Sequence, residues 1–174
     1  GDPVEVFRHI AKIIGELFEL KVVCLSKVNG DTLDFLAVYH DGQVITDAGS
    51  CDLAITPCAT VEKTQDVRIY NGVKELFPDA VFLQHYNAFA YCGFPSLGND
   101  GKVKAVTCLL DDKPREFTEN DVEILRSLNF SKGGSVDIIL DEDDLYNDDE
   151  GIIGSADYNA CFSGLKQEIG RAHV

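Results

Sequence analysis

The residues best equipped for chemistry are six cysteines, Cys24, Cys51, Cys58, Cys92, Cys108 and Cys161, spread over 174 residues without a CxxC pair. That spacing fits neither a zinc knuckle nor a disulfide framework, so free thiols in a reducing compartment are expected. Cys58 stands out because it follows Thr56-Pro57, a helix-opening pair in which Thr caps and Pro needs no backbone donor. In a first helical turn, unpaired amides and the helix dipole favour a thiolate, which would suit a redox switch or a thiol enzyme. No base is visible beside it, and a small buried thiol filling the core is the favoured reading. Cys24, Cys92 and Cys108 fall on predicted strands and read as core or pocket lining. His9, His40 and His85 are scattered over a helix, a strand end and a short helical segment, so no metal site is expected. No Ser-His-Asp order is convincing, and Gly98-Asn99-Asp100-Gly101 reads as a hairpin turn rather than a phosphate cradle.

The elements that must position these groups follow from pattern. Val6, Phe7, Ile10, Ile13, Ile14, Leu17 and Phe18 recur at helical spacing and predict a helix over 3–20 with one apolar face. Residues 22–28 and 33–40 are strand-like runs joined by Asn29-Gly30-Asp31, a hairpin turn because Asn and Gly accept positive φ. A short strand over 43–46 follows Asp41-Gly42. Beyond it the sequence predicts a helix over 57–64, a strand over 67–70, a helical turn over 72–77 stopped by Pro78, and another turn over 80–86 capped by Asp79. Strands over 88–94 and 102–111 come next. In the second, Val103, Ala105, Thr107 and Leu109 are expected on one face and Lys104, Val106, Cys108 and Leu110 on the other, both mostly apolar, as in a central strand. Thr118-Glu119-Asn120-Asp121 predicts a capping box opening a helix with Val122, Leu125 and Leu128. This order predicts an α+β domain around an antiparallel sheet.

Composition narrows the function. A net charge of -15 argues against nucleic acid or an anionic membrane surface as partner, since both require clustered Lys and Arg. No apolar run is long enough to span a bilayer and the N-terminus lacks a secretion signal, so a cytoplasmic location is expected. Residues 131–174 carry ten acids against Lys132, Lys166 and Arg171, and their dense run at 141–150 predicts a self-repelling, disordered tail beyond a domain at 1–130. Leu145 and Tyr146 stand where a calcium loop wants Asp or Asn and Gly, which excludes an EF-hand reading. The chain opens on Gly1, contains no Met, and ends in residues 168–174, which resemble a translated sequencing adapter and are set aside.

Four motifs in order carry a family resemblance: Thr56-Pro57-Cys58, Leu76-Phe77-Pro78-Asp79, the strand Tyr91-Cys92-Gly93-Phe94-Pro95, and Pro114-Arg115-Glu116-Phe117-Thr118. Together they resemble a GAF domain, the small-molecule sensing and dimerisation module of signalling proteins, over about 4–128. The resemblance implies a five or six stranded antiparallel sheet, profilin-like, with terminal helices on one face. On the other face it implies a pocket roofed by the crossover segment. By that likeness the candidate pocket residues are Phe35, Tyr39, Cys58, Tyr70, Phe82, Tyr91 and Thr107, and aromatics with polar tips suit a planar or amphipathic small molecule. The competing use of these rings is to fill the core.

Departures from subfamily patterns matter equally. The chain shows neither the Asn-Lys-Phe-Asp-Glu signature of cyclic-nucleotide binders nor the Cys-His pair of bilin binders, since Ala59 follows Cys58. No His stands in a haem-ligand context, and the cysteines do not match those of the GAF-fold methionine sulfoxide reductases. No cofactor is assigned. The expected function is a non-enzymatic sensory domain, the input fragment of a signalling protein such as a histidine kinase or diguanylate cyclase, with an effector domain elsewhere in that protein. The alternatives are a thiol switch or enzyme using Cys58, and a ligand-free module dimerising through helix 3–20, whose end-of-domain counterpart is interrupted by Asn129 and Gly133-Gly134.

Overall fold

A computed structural model describes residues 3–127. The acidic run, Gly133-Gly134, Cys161 and the terminal heptapeptide lie outside the described residues. Helix α1, Pro3–Leu17, stops short of the expected residue 20 because Glu19 turns into the left-handed region at φ 53° and Leu20 donates back to the Gly15 carbonyl. Its apolar face is buried, with Val6, Phe7, Ile10, Ala11, Ile14 and Phe18 all packed into one core. Strands β1, Val22–Asn29, and β2, Thr32–His40, form the hairpin that Asn29-Gly30 foretells. Gly30 sits at φ 60°, a conformation that costs glycine nothing.

Beyond them come β3 (Gln43–Ile45), β4 (Ser50–Asp52), β5 (Arg68–Asn71), β6 (Ala90–Leu97) and β7 (Val103–Asp111). The sheet order is β3-β2-β1-β7-β6-β5, antiparallel throughout, with β4 pairing the first residues of β2 beside β3. The α+β architecture and antiparallel sheet are as expected; β4 is the seventh strand that sequence pattern did not reveal. Helix α5, Glu119–Ser127, closes the domain and starts with a reciprocal cap. Thr118 N donates to the Asp121 carboxylate at 3.0 Å and Asp121 N to Thr118 Oγ1 at 3.1 Å, so Asp performs the role usually given to Glu.

The sheet divides the interior into two cores. On one face Val23, Leu25, Ala37, Tyr39, Cys92, Phe94 and Leu109 pack against α1 and α5. On the other Val22, Cys24, Leu33, Val38, Tyr91, Val106, Cys108 and Leu110 pack against the segment that crosses from β4 to β6. Burial on both faces of β1 and β7 explains their nearly continuous apolar sequence. Two β-bulges adjust the alternation. In the first, Leu25 pairs Ala37 while Ser26 pairs Phe35, so Leu36 is the extra residue. In the second, Ser96 pairs Ala105 while Leu97 pairs Val103, leaving Lys104 over. One inserted residue reverses the facing of everything beyond it. Hence Val103, expected beside Ala105 and Leu109, instead shares the crossover core with Val106.

Candidate ligand-binding site

The crossover is assembled from short pieces, which is why it roofs the sheet incompletely. A 3-10 turn at Leu53–Ile55 leads into α2, Cys58–Thr64, and after β5 come α3, Val73–Leu76, and α4, Val81–His85. Thr56 does not cap α2. Its hydroxyl donates backward to the Leu53 carbonyl at 2.8 Å, and Pro57 occupies the cap position at φ -65°. Nor does Asp79 cap α4, whose cap residue is Ala80 with no side-chain bond. Short helices without side-chain caps contribute little stability of their own, so the crossover is held by what it buries: Leu53, Cys58, Val61, Val73, Phe82 and Leu83.

Where α4 stands off from the sheet, a cavity of about 300 Å³ remains. Cys24, Phe35 and Val38 form its floor, Ile45, Ala48, Ser50 and Cys51 one wall, and Val81, Phe82, His85 and Tyr86 the other. Phe35 and Phe82 meet edge to face with centroids 5.3 Å apart, and Tyr86 rests between His40 and His85 at 5.0 and 4.7 Å. Ile45 and Val81 remain 46% and 73% exposed at the mouth, an unusual investment of large apolar side chains in water. Among the described residues, no lysine or arginine lines the cavity. Its polar groups are Ser50, the Cys51 thiol, His85 and the Tyr86 phenol. Burial, and then nearby Cys24, hold the Tyr86 phenol above its ordinary range, so at neutral pH it is an uncharged donor. Burial likewise pushes Cys51 up to about 11. The site therefore offers aromatic area and a few polar atoms.

Of the seven residues singled out by sequence, Phe35 and Phe82 line this cavity. Cys58, Tyr70 and Tyr91 lie on the same side of the sheet but deeper under the crossover, where Tyr70 contacts the rings of Phe77 and Tyr91 and donates to Thr60 Oγ1 at 2.9 Å. Tyr39 and Thr107 lie on the opposite face. The bulge at Leu36 turns Tyr39 onto α1, where its ring covers Gly15, and Thr107 stands between Leu25 and Phe94 on its neighbouring strands.

The deeper group is a cluster in its own right. Cys58 Sγ lies 3.2 Å from Cys108 Sγ and 3.2 Å from the Tyr91 hydroxyl, all fully buried. The described cysteines are free thiols. Burial pushes the Cys58 thiol up, but hydrogen bonds from Cys108, Tyr91, Thr56 and the Cys58 backbone N–H together hold it below the usual thiol range. Cys108 is raised in turn, by its bond to Cys58 and by burial. Among the described residues no group of three or more His, Cys, Asp or Glu is placed to hold a metal ion.

The GAF domain family model matches residues 2–129. The chain belongs to the GAF domain family. Among solved structures, this GAF domain resembles the type II free methionine-R-sulfoxide reductase of Thermoplasma acidophilum, at TM-score 0.63 and 15% identity, covering 80% of this chain and 93% of that one. It also resembles the GAF domain of a two-component sensor histidine kinase from Bacillus halodurans, at TM-score 0.59 and 14% identity, covering 80% and 95%. These likenesses concern the fold. In sequence it is 29% identical over 137 residues to a phosphoenolpyruvate carboxylase of Xanthomonas campestris pv. campestris, a match covering 74% of this chain. The matched part spans 14% of that enzyme's length. GAF domains are generally regulatory or sensory modules, found in sensor proteins such as histidine kinases. Among the described residues no helix is long and apolar enough to cross a membrane.

Sequence reasoning missed most of this GAF domain's cavity wall. Ser50 and Cys51 belong to the undetected β4, and Ile45, Val81 and His85 are side chains whose only distinction is where the fold places them. One signal was available. Val81 and Phe82 are adjacent apolar residues at the start of a helix too short to bury both, which leaves one of them facing solvent or a ligand.

Proposed function

We propose that this GAF domain is a non-enzymatic sensory input module that binds a small, uncharged, largely apolar molecule between β2 and α4. The observation that carries the reading is a cavity of about 300 Å³ lined by Phe35, Phe82, Val38 and Tyr86 and, among the described residues, by no lysine or arginine. Buried anions require a cation or several aimed donors, so phosphate-bearing ligands are disfavoured here, whereas a flat neutral ring gains from aromatic walls and one or two hydrogen bonds. Ser50 and Tyr86 supply those bonds. Occupancy would draw α4 toward β2 and strengthen the roof, and differential affinity for the two packings would carry the signal. The effector that receives it, in a histidine kinase, a diguanylate cyclase or another signalling protein, lies in the full-length protein.

A homodimer, if the domain forms one through α1, would use the polar side of that helix. Ile10 and Ile14 already belong to the domain's own core.

The test is a melting-temperature screen of uncharged aromatic metabolites beside an anionic set matched in size. A neutral compound at saturation should raise the melting temperature by about 5 °C, and Phe82→Ala should abolish the shift while leaving a folded protein. Stabilisation by anions alone, or by none of the compounds on a folded sample, contradicts the reading.

A further inference from the structure

The thiols of this domain are unevenly distributed between the two faces of its sheet. Cys24, Cys58 and Cys108 are buried in the crossover core with Cys51 packed against it, and only Cys92 of the described cysteines lies on the helix-covered side. Cys24 and Cys108 are direct cross-strand partners on β1 and β7, so their side chains leave the sheet together. Cys24 lines the cavity, and the thiols thus form a row from the cavity floor through Cys108 to Cys58. We propose that Cys58 and Cys108 are a two-electron redox pair, oxidised to a disulfide by a small uncharged hydroperoxide that enters through the cavity.

The site looks built for close approach. Gly93 is the cross-strand partner of Cys108 on β6. A Cβ at Gly93 would stand 2.4 Å from the Tyr91 hydroxyl and 2.7 Å from Val61 Cγ2 of α2. The missing side chain is therefore what lets Tyr91 bend over the strand and α2 descend until Cys58 meets Cys108. At 3.2 Å the sulfurs are in hydrogen-bonding contact, and a disulfide at about 2.05 Å requires them to close by only about 1.1 Å. Cys58 opens a seven-residue helix on the short-pieced crossover, the more adjustable side of the pair.

The chemistry balances without a metal or cofactor. The Cys58 thiolate, held by the Tyr91 hydroxyl and the Cys108 S–H, attacks the distal peroxide oxygen. The O–O bond breaks and the alcohol leaves after taking a proton, so Cys58 becomes a sulfenic acid. The Cys108 sulfur then attacks Cys58 Sγ, its proton and the sulfenic hydroxyl depart as water, and the disulfide forms. In sum two thiols and one hydroperoxide give a disulfide, an alcohol and water, the sulfurs losing two electrons and the peroxide gaining them. An external dithiol restores the pair by exchange. Cys108 is the resolving thiol and Tyr91 a positioning residue.

The experiment uses the whole chain, reduced, then treated with hydrogen peroxide, unfolded in the presence of N-ethylmaleimide and digested for mass spectrometry. The expected result is a Cys58–Cys108 cross-linked peptide, with Cys92 alkylated in full. In Cys108→Ser the same treatment with dimedone should label Cys58. Tyr91→Phe should slow disulfide formation about fivefold and move the midpoint of its pH-rate profile upward by about one unit, because one donor to the thiolate is gone. A disulfide joining Cys24, Cys51 or Cys161 instead overturns the proposal. So does full alkylation of both Cys58 and Cys108 under peroxide exposure that oxidises an unfolded thiol peptide. The cross-link map is made on the unsubstituted protein, so it decides the matter even if a variant fails to fold.

Discussion

The two faces of the sheet are covered by different means, and they serve different ends. On one side a fifteen-residue amphipathic helix lays a continuous apolar face over β1, β2 and β3, and Gly15 lets the Tyr39 ring press against its backbone. On the other a chain of short helices covers the sheet in patches, leaving an open-mouthed cavity beside a buried cluster of thiols and a phenol. A long helix maximises buried area per ordered residue and gives stability. Short pieces give less burial but place varied side chains around a gap, which is what recognition needs.

The largest effect should come from charging the helix-covered core. Ile14→Asp buries an unpaired carboxylate at a position that is fully inaccessible and should cost about 4 kcal/mol, enough to unfold the domain in a urea titration. Next come the two tight glycines, one under each cover. Gly15→Ala sets a Cβ 2.4 Å from the Tyr39 ring and Gly93→Ala sets one 2.4 Å from the Tyr91 hydroxyl, and each should cost about 2 kcal/mol by overpacking. Of the two, only Gly93→Ala should also change the rate at which Cys58 is alkylated.

A pH experiment separates the faces further. Burial pushes Cys92 up to about 12 on the helix-covered side, and Cys51 up to about 11 at the cavity. Both exceed the unfolded value of about 8.5, so the neutral thiols contribute stability that is complete below that pH and lost as pH climbs through the folded values. Thermal melts should therefore fall from about pH 8.5 upward, and Cys92→Ala should flatten part of that decline. The smallest effect is at the rim: Val81→Ser, at a residue 73% exposed, should change stability by less than about 0.5 kcal/mol while weakening ligand binding.

What the sequence disclosed was local. Asn29-Gly30 announced its hairpin, Thr118 and Asp121 announced their reciprocal cap, and the spacing of Val6 to Phe18 announced α1, because each is written in adjacent residues and their periods. The bulges at Leu36 and Lys104 left no such mark, since Phe35 to Tyr39 is a continuous apolar run and both faces of 103–110 are mostly apolar, so only packing chooses where the extra residue goes. That is why Tyr39, four residues from Phe35, ends on the far face from it. Thr56 misled for a related reason: its type suits a cap, but a buried carbonyl at Leu53 claimed its hydroxyl first. The Cys58 to Cys108 contact joins residues 50 apart, and no local pattern could pair them.

The central claim is that the crossover face receives a neutral, apolar molecule and the helix face does not. It is tested most directly by titrating indole and a panel of uncharged aromatic rings into isotope-labelled protein while following assigned methyl and aromatic resonances. Saturable shifts are expected at Phe35, Val38, Ile45, Val81 and Phe82, with Ile10, Ile14 and Leu125 unmoved. Shifts concentrated on α1 and α5, or no saturable shift from any ring in the panel, would contradict it.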